Sequence, residues 1–198
     1  MWNQRFDTDE YIFGKTPSQF LVSHEGLFAP GLTALAIADG EGRNSVWLAE
    51  QGLDVTAMEG SPNAIAKARK LAEERGVDVS FREADIFTYD WDTTNYDFVI
   101  GVFFQFMGPD AREDVFAGMK RATKPSGRVL IHGYTPKQLE YGTGGPKAIE
   151  NLYTEEMLAK AFAGWKIERL ESYETELDEG AGHAGMSAVI DLVAQKPG

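Results

Sequence analysis

Three short stretches hold the glycines and carboxylates from which a ligand site could be built. Asp39-Gly40-Glu41-Gly42-Arg43-Asn44 follows the apolar run Ala34–Ala38 and precedes a helical pattern. Glycines at 40 and 42 permit a tight turn and let a ligand approach the backbone closely. The helix start behind them offers N–H groups without intrahelical partners. Glu59 ends the next apolar run, 19 residues after Gly40. A carboxylate there can accept hydrogen bonds from both hydroxyls of a ribose. Ala84-Asp85-Ile86 follows a third run, where Asp85 could accept from an adenine amino group and Ile86 could pack on the ring. Such a set suits a nucleoside cofactor, NAD or S-adenosylmethionine. A dinucleotide turn wants a third glycine in G-x-G-x-x-G, with pyrophosphate on the helix. Here Arg43, Asn44 and Ser45 follow Gly42. S-adenosylmethionine carries no phosphate, so the missing glycine favours it over NAD.

A second group of residues could handle a substrate. His24, His132 and His183 are the only histidines. His132 lies near the end of a fifth apolar run, Arg128–Tyr134, and ligands gather at such strand ends in open α/β sheets. His132 could act as a base or a hydrogen-bond donor. His183 sits in Glu179-Gly180-Ala181-Gly182-His183-Ala184-Gly185, a glycine-rich stretch that suits a mobile substrate lid. Phe103-Phe104-Gln105-Phe106 follows the fourth apolar run, and aromatic faces attract a sulfonium cation. Gln105 is the one polar side chain in that stretch and is a candidate for orienting a substrate. Gln138–Lys147 reads as a long, structureless insertion, another candidate lid. Lys147 or Arg43 could draw in an anionic substrate.

The elements that must position these groups alternate strand and helix. Strands are expected at Ala34–Ala38, Asp54–Met58, Val79–Arg82, Tyr96–Phe104 and Arg128–Tyr134, with Lys124–Gly127 a turn. Helices are expected at Arg43–Gln51, from Ser61-Pro62 to Gly76, at Asp110–Ala122, and from Thr154 to Phe162. Trp165–Leu177 and Met186–Gln195 form a closing hairpin, antiparallel because its connection is too short for a crossover. Alternation of this kind implies α/β with a mostly parallel sheet. Residues 1–30 are aromatic and irregular, with Trp2, Phe6, Tyr11, Phe13 and Phe20.

Composition bounds the rest. The chain has 198 residues, which suits a single domain, and a formal net charge of −12. That charge repels a nucleic-acid backbone. Cysteine is absent, which excludes disulfides, thiolate metal sites and a cysteine nucleophile. No stretch reaches the roughly 18 apolar residues of a membrane span, and the polar start is unlike a signal peptide. A cytoplasmic protein with a small-molecule substrate is expected, as a monomer or homodimer, with no metal and no membrane partner.

On these motifs the chain resembles the class I S-adenosylmethionine-dependent methyltransferases, and within them the tellurite-resistance/thiopurine-methyltransferase-like branch. Gly40-Glu41-Gly42-Arg43-Asn44-Ser45 with Trp47-Leu48-Ala49 carries the resemblance most specifically. Glu59-Gly60-Ser61-Pro62, Ala84-Asp85-Ile86, Tyr96-Asp97-Phe98-Val99 and Lys124-Pro125-Ser126-Gly127 fall in order behind it. The resemblance implies a Rossmann-like seven-stranded sheet whose last strand is antiparallel, with helices on both faces. It implies that Gly40 and Gly42 meet the cofactor's amino-acid end, Glu59 the ribose, and Asp85 with Ile86 the adenine. It further implies cofactor contacts at Trp2, Arg5, Phe13, Asp39, Gly60 and Val102. Trp2-x-x-Arg5-Phe6 with Tyr11-x-Phe13-Gly14-x-x-Pro17 resembles that branch's lid over the cofactor, and a histidine near His183 is kept in the related family. The family's acid and first glycine of the turn are here Ala36 and Ala38; Asp39 or Glu41 could stand in for the acid. The implied activity is methyl transfer to a small soft nucleophile: a thiol, a thiopurine or a chalcogen oxyanion. The alternatives are a small-molecule O- or N-methyltransferase, or a non-catalytic sensor of S-adenosylmethionine.

Overall fold

The computed structural model describes residues 2–198. Seven strands share one sheet: β1 (Thr33–Ile37), β2 (Asp54–Glu59), β3 (Ser80–Glu83), β4 (Tyr96–Val102), β5 (Thr123–Tyr134), β6 (Lys166–Asp178) and β7 (Ala184–Gln195). Their order is β3-β2-β1-β4-β5-β7-β6. The pairs β1/β2, β2/β3 and β4/β5 are parallel, while β7 runs antiparallel to both β5 and β6. This is the Rossmann-like α/β architecture expected above. The chain parts into two compact units, one running through Tyr89 and taking in Glu179–Gly182, the other comprising Asp90–Asp178 and His183–Gly198.

In the first unit β1 is buried from Ala34 to Ile37, the continuous apolar run of a strand covered on both faces. Helix α3 (Arg43–Glu50) follows the glycine turn, and α4 (Pro62–Arg75) follows β2. Ser61 caps α4 by accepting from Ala64 N at 3.2 Å, Pro62 fills the first turn, and Gly76 ends it in a left-handed conformation, as the sequence predicts. The aromatic N-terminal stretch is organised by anchors, not by a period. Its short helix α1 (Trp2–Arg5) is tied by Asn3 Oδ1, which accepts from Ser61 Oγ at 2.8 Å and Asn63 N at 3.0 Å. Phe6 is buried, and Tyr11 Oη donates to Lys67 O at 2.8 Å. A second short helix, α2 (Gln19–Ser23), completes the stretch.

The glycine-rich stretch after β6, expected to be mobile, is held in this unit. Gly182 N donates to Ile12 O at 3.1 Å. A Cβ on Gly180 would fall 2.4 Å from the Phe13 carbonyl carbon, so only glycine fits there. Glu179 accepts from Ser18 Oγ (3.2 Å), Gln19 N (3.0 Å) and Arg43 Nη2 (2.8 Å). Arg43 and Glu179 are both buried. A buried charge must be paired and hydrogen-bonded, and meeting that requirement fixes the stretch in place. Arg43 is therefore occupied by an ion pair and is not set out to attract an anion.

In the second unit β5 begins at Thr123, five residues before the expected start. Tyr96 pairs with Thr123 and Phe98 with Arg128, so Lys124–Gly127 bulge out of the ladder. Ser126 takes φ +63° in this bulge. The expected turn is thus a bulge within a longer strand. Helices α5 (Pro109–Ala122), α6 (Gln138–Tyr141) and α7 (Glu155–Ala161) complete the unit, with Thr154 capping α7 through Met157 N at 3.2 Å. The Gln138–Lys147 stretch is not structureless. Gln138 is buried, its Oε1 accepts from Ala188 N at 2.9 Å, and its Nε2 donates to Thr143 Oγ1 at 3.0 Å and Gly144 O at 3.2 Å. Thr143 Oγ1 in turn donates to Met186 O at 2.7 Å. One side-chain amide therefore fastens the stretch to β7.

Gly118, inside α5, faces the buried Trp91 ring, and a Cβ there would lie 2.5–2.6 Å from three ring atoms. Replacing glycine by alanine within a helix gains about 1 kcal/mol of propensity. Overpacking against a rigid ring costs roughly 1–3 kcal/mol. The clash should win: Gly118→Ala is expected to lower the urea midpoint, and an unchanged or raised midpoint would show that the Trp91 site is loose.

Candidate active site

In the first unit, Glu59 ties the turns after β1 and β2 together. Its Oε2 accepts from Gly40 N and its Oε1 from Ser61 N, each at 2.9 Å. Burial pushes its carboxyl above the ordinary range, against backbone hydrogen bonds from Gly40, Ser61 and Gly60. Asp39 caps α3, accepting from Ser45 N at 3.2 Å and Ser45 Oγ at 2.5 Å. Burial pushes its carboxyl up to about 6, a rise that the Ser45 hydrogen bonds only partly oppose. Gly40 has φ +64°, and a Cβ there would touch only Phe6 Cζ at 3.8 Å, so its backbone is approachable. Gly42 serves a different need. A Cβ there would sit 2.7 Å from Ala68 Cβ and 2.9 Å from Ala68 Cα, so glycine lets α3 start against α4. Ala38, at the family's glycine position, takes φ +47°. The left-handed turn is made despite the side chain, at roughly 1–2 kcal/mol of strain.

The remaining cofactor candidates of this unit fall into three places. Gly60 sits beside Glu59, where a Cβ would make only ordinary contact with Ala84 O at 3.6 Å. Asp85 is exposed and its Oδ1 accepts from Phe87 N at 2.9 Å, while Ile86 is buried next to it. Trp2, Arg5 and Phe13 cluster, with the exposed Arg5 guanidinium 5.0 Å from the Trp2 ring centroid and 5.5 Å from that of Phe13. Glu41 was legible only as a possible stand-in acid. It is 2 % exposed and binds Lys67 Nζ at 2.6 Å, with Ile12 N and Phe13 N both donating to it at 3.2 Å. Its carboxylate thus anchors the N-terminal segment.

In the second unit, Val102 ends β4, half-buried and paired with His132. Phe103 follows with φ +53° and donates its N–H to His132 O at 2.8 Å. Such a conformation is strained for a bulky residue. It gathers three rings around one: His183 stacks on Phe103 at 4.1 Å and 22°, Tyr134 lies at 4.6 Å and His132 at 4.7 Å. Tyr134 Oη and His183 Nδ1 are 2.6 Å apart. His132 Nδ1 donates to Asp191 Oδ1 at 2.7 Å. Asp191 also accepts from Arg169 Nε at 2.8 Å and Tyr173 Oη at 3.2 Å. Burial would raise the Asp191 carboxyl, but the His132 and Arg169 contacts prevail and hold it below its usual range. Gln105 is buried, with Oε1 accepting from Tyr134 N at 2.6 Å and Nε2 donating to Tyr134 O at 2.8 Å and Asn151 O at 3.2 Å. Its amide braces backbone in this arrangement. Gly133 makes that possible, since a Cβ there would lie 2.6 Å from Gln105 Oε1. So His183, His132 and Gln105 do come together, around Phe103 and Tyr134. Tyr134 and Asp191 were not singled out from the sequence. The available signal for Tyr134 was its place at the end of β5, two residues beyond His132.

S-adenosylmethionine fits the donor set of the first unit. Asp39 and Glu59 could offer carboxylates to an ammonium group and ribose hydroxyls, Arg5 a cation to a carboxylate, and Asp85 with Ile86 an acceptor beside an apolar face. The raised Asp39 carboxyl has a thermodynamic signature. The folded chain binds this proton more tightly than the unfolded one, so stability falls as pH rises from about 4 to about 6. In that window wild type is expected to lose stability relative to Asp39→Asn by at most about 1.4 kcal/mol per pH unit. Parallel stability curves for the two proteins in urea titrations between those pH values would remove Asp39 as the cause.

Residues 34–127 match the family model described as a methyltransferase domain. The Haemophilus influenzae protein named "Probable S-adenosyl-L-methionine-dependent methyltransferase TehB" is 32% identical over 98 residues, 49% of this chain and 34% of that protein. The match therefore spans about a third of the length of that curated relative. The crystal structure of TehB from Haemophilus influenzae superposes with a TM-score of 0.73 at 22% identity, covering 98% of this chain and 65% of that chain. A chain solved in work on the conversion of a disulfide bond into a thioacetal group during echinomycin biosynthesis gives 0.78 at 18% identity, covering 98% and 88%. The N-methyltransferase NodS of Bradyrhizobium japonicum, in complex with S-adenosyl-L-homocysteine, gives 0.71 at 12% identity, covering 100% and 97%. Likenesses at these identities establish a shared fold. The chain has the fold of the class I S-adenosylmethionine-dependent methyltransferases, matches a methyltransferase domain over residues 34–127, and resembles TehB among them.

Proposed function

We propose that this chain transfers a methyl group from S-adenosylmethionine to a small soft nucleophile: a thiol, a thiopurine or a chalcogen oxyanion. The observation that carries the choice of acceptor is the aromatic cluster of the second unit, Phe103 with Tyr134 and His183. Polarisable sulfur makes favourable contacts with aromatic rings. The carboxylate of that cluster, Asp191, is already committed to His132 and Arg169. The likeness to TehB and to a protein of disulfide-to-thioacetal conversion supports the same direction.

In this reading Asp39, Gly40 and Gly42 hold the amino-acid end of the cofactor, Glu59 with Gly60 the ribose, and Asp85 with Ile86 the adenine. Arg5 pairs with its carboxylate, a charge-assisted contact. Trp2 and Phe13, on the N-terminal segment through residue 30, close over it and exclude water. The cofactor supplies an electrophilic methyl group on a sulfonium. The chain's contribution is alignment of the acceptor with that methyl, which can supply about 7–11 kcal/mol of the barrier reduction. A binding protein without turnover is the contrasting reading. Both readings use the same cofactor turn, with Ala38 in its left-handed form, and they differ only in turnover.

Incubation with S-adenosylmethionine and a panel of thiols, selenite and tellurite, read by mass spectrometry, should yield S-adenosylhomocysteine and a methylated acceptor. Tight binding of the cofactor with no S-adenosylhomocysteine from any acceptor would leave a sensor and end this reading. Glu59→Gln keeps the shape and removes the charge. Calorimetric titration with S-adenosylhomocysteine should show affinity weakened about tenfold or more, and an unchanged dissociation constant in a folded variant would take Glu59 out of the site.

A further inference from the structure

We infer that Tyr134 is the positioning residue of the acceptor site: its phenol holds His183 as the Nε2–H tautomer, so that His183 serves an anionic acceptor as a hydrogen-bond donor. The inference rests on the methyltransferase reading above and sharpens its substrate class.

The contact between Tyr134 Oη and His183 Nδ1 is 2.6 Å. Two arrangements of the proton are conceivable, and chemistry separates them. A phenol is a better donor than a neutral imidazole N–H, and the imidazole lone-pair nitrogen is a better acceptor than a phenol oxygen. The distance agrees: N–H···O bonds run from about 2.7 to 3.2 Å, whereas hydroxyl donors reach shorter lengths. The phenol therefore donates, Nδ1 accepts, and the ring proton resides on Nε2.

Tyr134 is built to hold that geometry. Gln105 grips its backbone at both N and O. Its ring packs with Leu152, Leu177 and Val189 in one buried cluster, and a Cβ on Gly145 would fall 2.7 Å from its Cδ2. Phe103, strained at φ +53°, stacks on the other partner, His183. The other two histidines carry the opposite tautomer. His132 Nδ1 faces a carboxylate, Asp191 Oδ1, at 2.7 Å. His24 Nδ1 faces a carbonyl, Phe20 O, at 2.7 Å. Ser23 Oγ also lies 3.3 Å from His24 Nδ1 but gives its proton to Phe20 O at 2.8 Å. A carboxylate and a carbonyl cannot donate, so both of those rings carry a proton on Nδ1.

The tautomer selects the acceptor. With a thiolate, a lone pair forms the new bond to the methyl carbon while the methyl–sulfonium bond breaks and its electron pair stays on the donor sulfur. One negative and one positive charge disappear together, and no proton has to leave. A neutral alcohol or amine must also give up a proton, which an Nε2–H ring cannot take at Nε2. A donor at Nε2 instead orients an anionic sulfur or oxyanion.

The test reads protons directly. Long-range nitrogen–proton spectra of the full chain, labelled at histidine, should show one ring protonated on Nε2 only and two on Nδ1. The Nε2–H ring should vanish in His183→Gln. In Tyr134→Phe, which keeps the ring and its packing, the His183 pattern should shift to a mixture of tautomers. A His183 ring protonated on Nδ1 in the wild-type spectrum, or a His183 pattern left unchanged in Tyr134→Phe, overturns the inference. The spectra need no acceptor, so a failure of methyl transfer itself would count against the proposed function and leave the tautomer to be judged on its own signals.

Discussion

A single carboxylate set between two glycines governs the first unit. Glu41 lies in the turn after β1, almost wholly buried, and it satisfies Lys67 on α4 and two backbone N–H groups of the N-terminal segment at once. An unpaired charge there would be costly, so the turn, the helix and the segment must arrive together. Tyr11, whose hydroxyl meets Lys67 O, and Asn3, which meets the cap of α4, follow from that constraint. The same turn presents Gly40 and Asp39, so the candidate cofactor residues and the N-terminal segment share one anchor.

In the second unit the corresponding constraint is backbone satisfaction where regular pairing stops. Tyr134 is the last residue of β5, and Gln105 supplies hydrogen bonds to its N–H and C=O. Gln138 does the same for Ala188 N on β7. Two side-chain amides thus extend a ladder that the strands leave unfinished, and they hold rigid the strand end that carries the aromatic cluster. A rigid element is a more precise platform for a reacting group than a loop.

Most strands and caps were readable because their causes are local. Ser61-Pro62 with Gly76 marks α4 at both ends, and Thr154 marks α7. Apolar runs mark β1 and β4. Features that depend on distant partners were not readable. Thr123 joins β5 only because it pairs with Tyr96 past a bulge. Gln138–Lys147 has the glycine content of a free loop, yet one buried amide anchors it. In the candidate site, Gly40, Glu59 and the three substrate-side residues were singled out by type and position, and the structure brings His183, His132 and Gln105 together around Phe103 and Tyr134. Tyr134 was read only as the end of a strand, because its partner His183 lies 49 residues away. Glu41 and Asp39 were readable as acids, but not which of them would be tied up in holding the chain.

The ion pair of Arg43 with Glu179 bears on how the molecule comes into being. Its partners are 136 residues apart, and Glu179–Gly182 belong to a unit otherwise composed of the first 89 residues. As the chain leaves the ribosome, the unit formed by residues up to 89 therefore waits for residues 179–182. Until then Arg43 lacks its carboxylate, and Phe13 lacks the glycines that pack on it. Folding of this unit cannot finish while the polypeptide is still growing through residue 178, whatever its local helices have already done. Slower translation across residues 90–178 would therefore lengthen the time for which Arg43 is without its carboxylate.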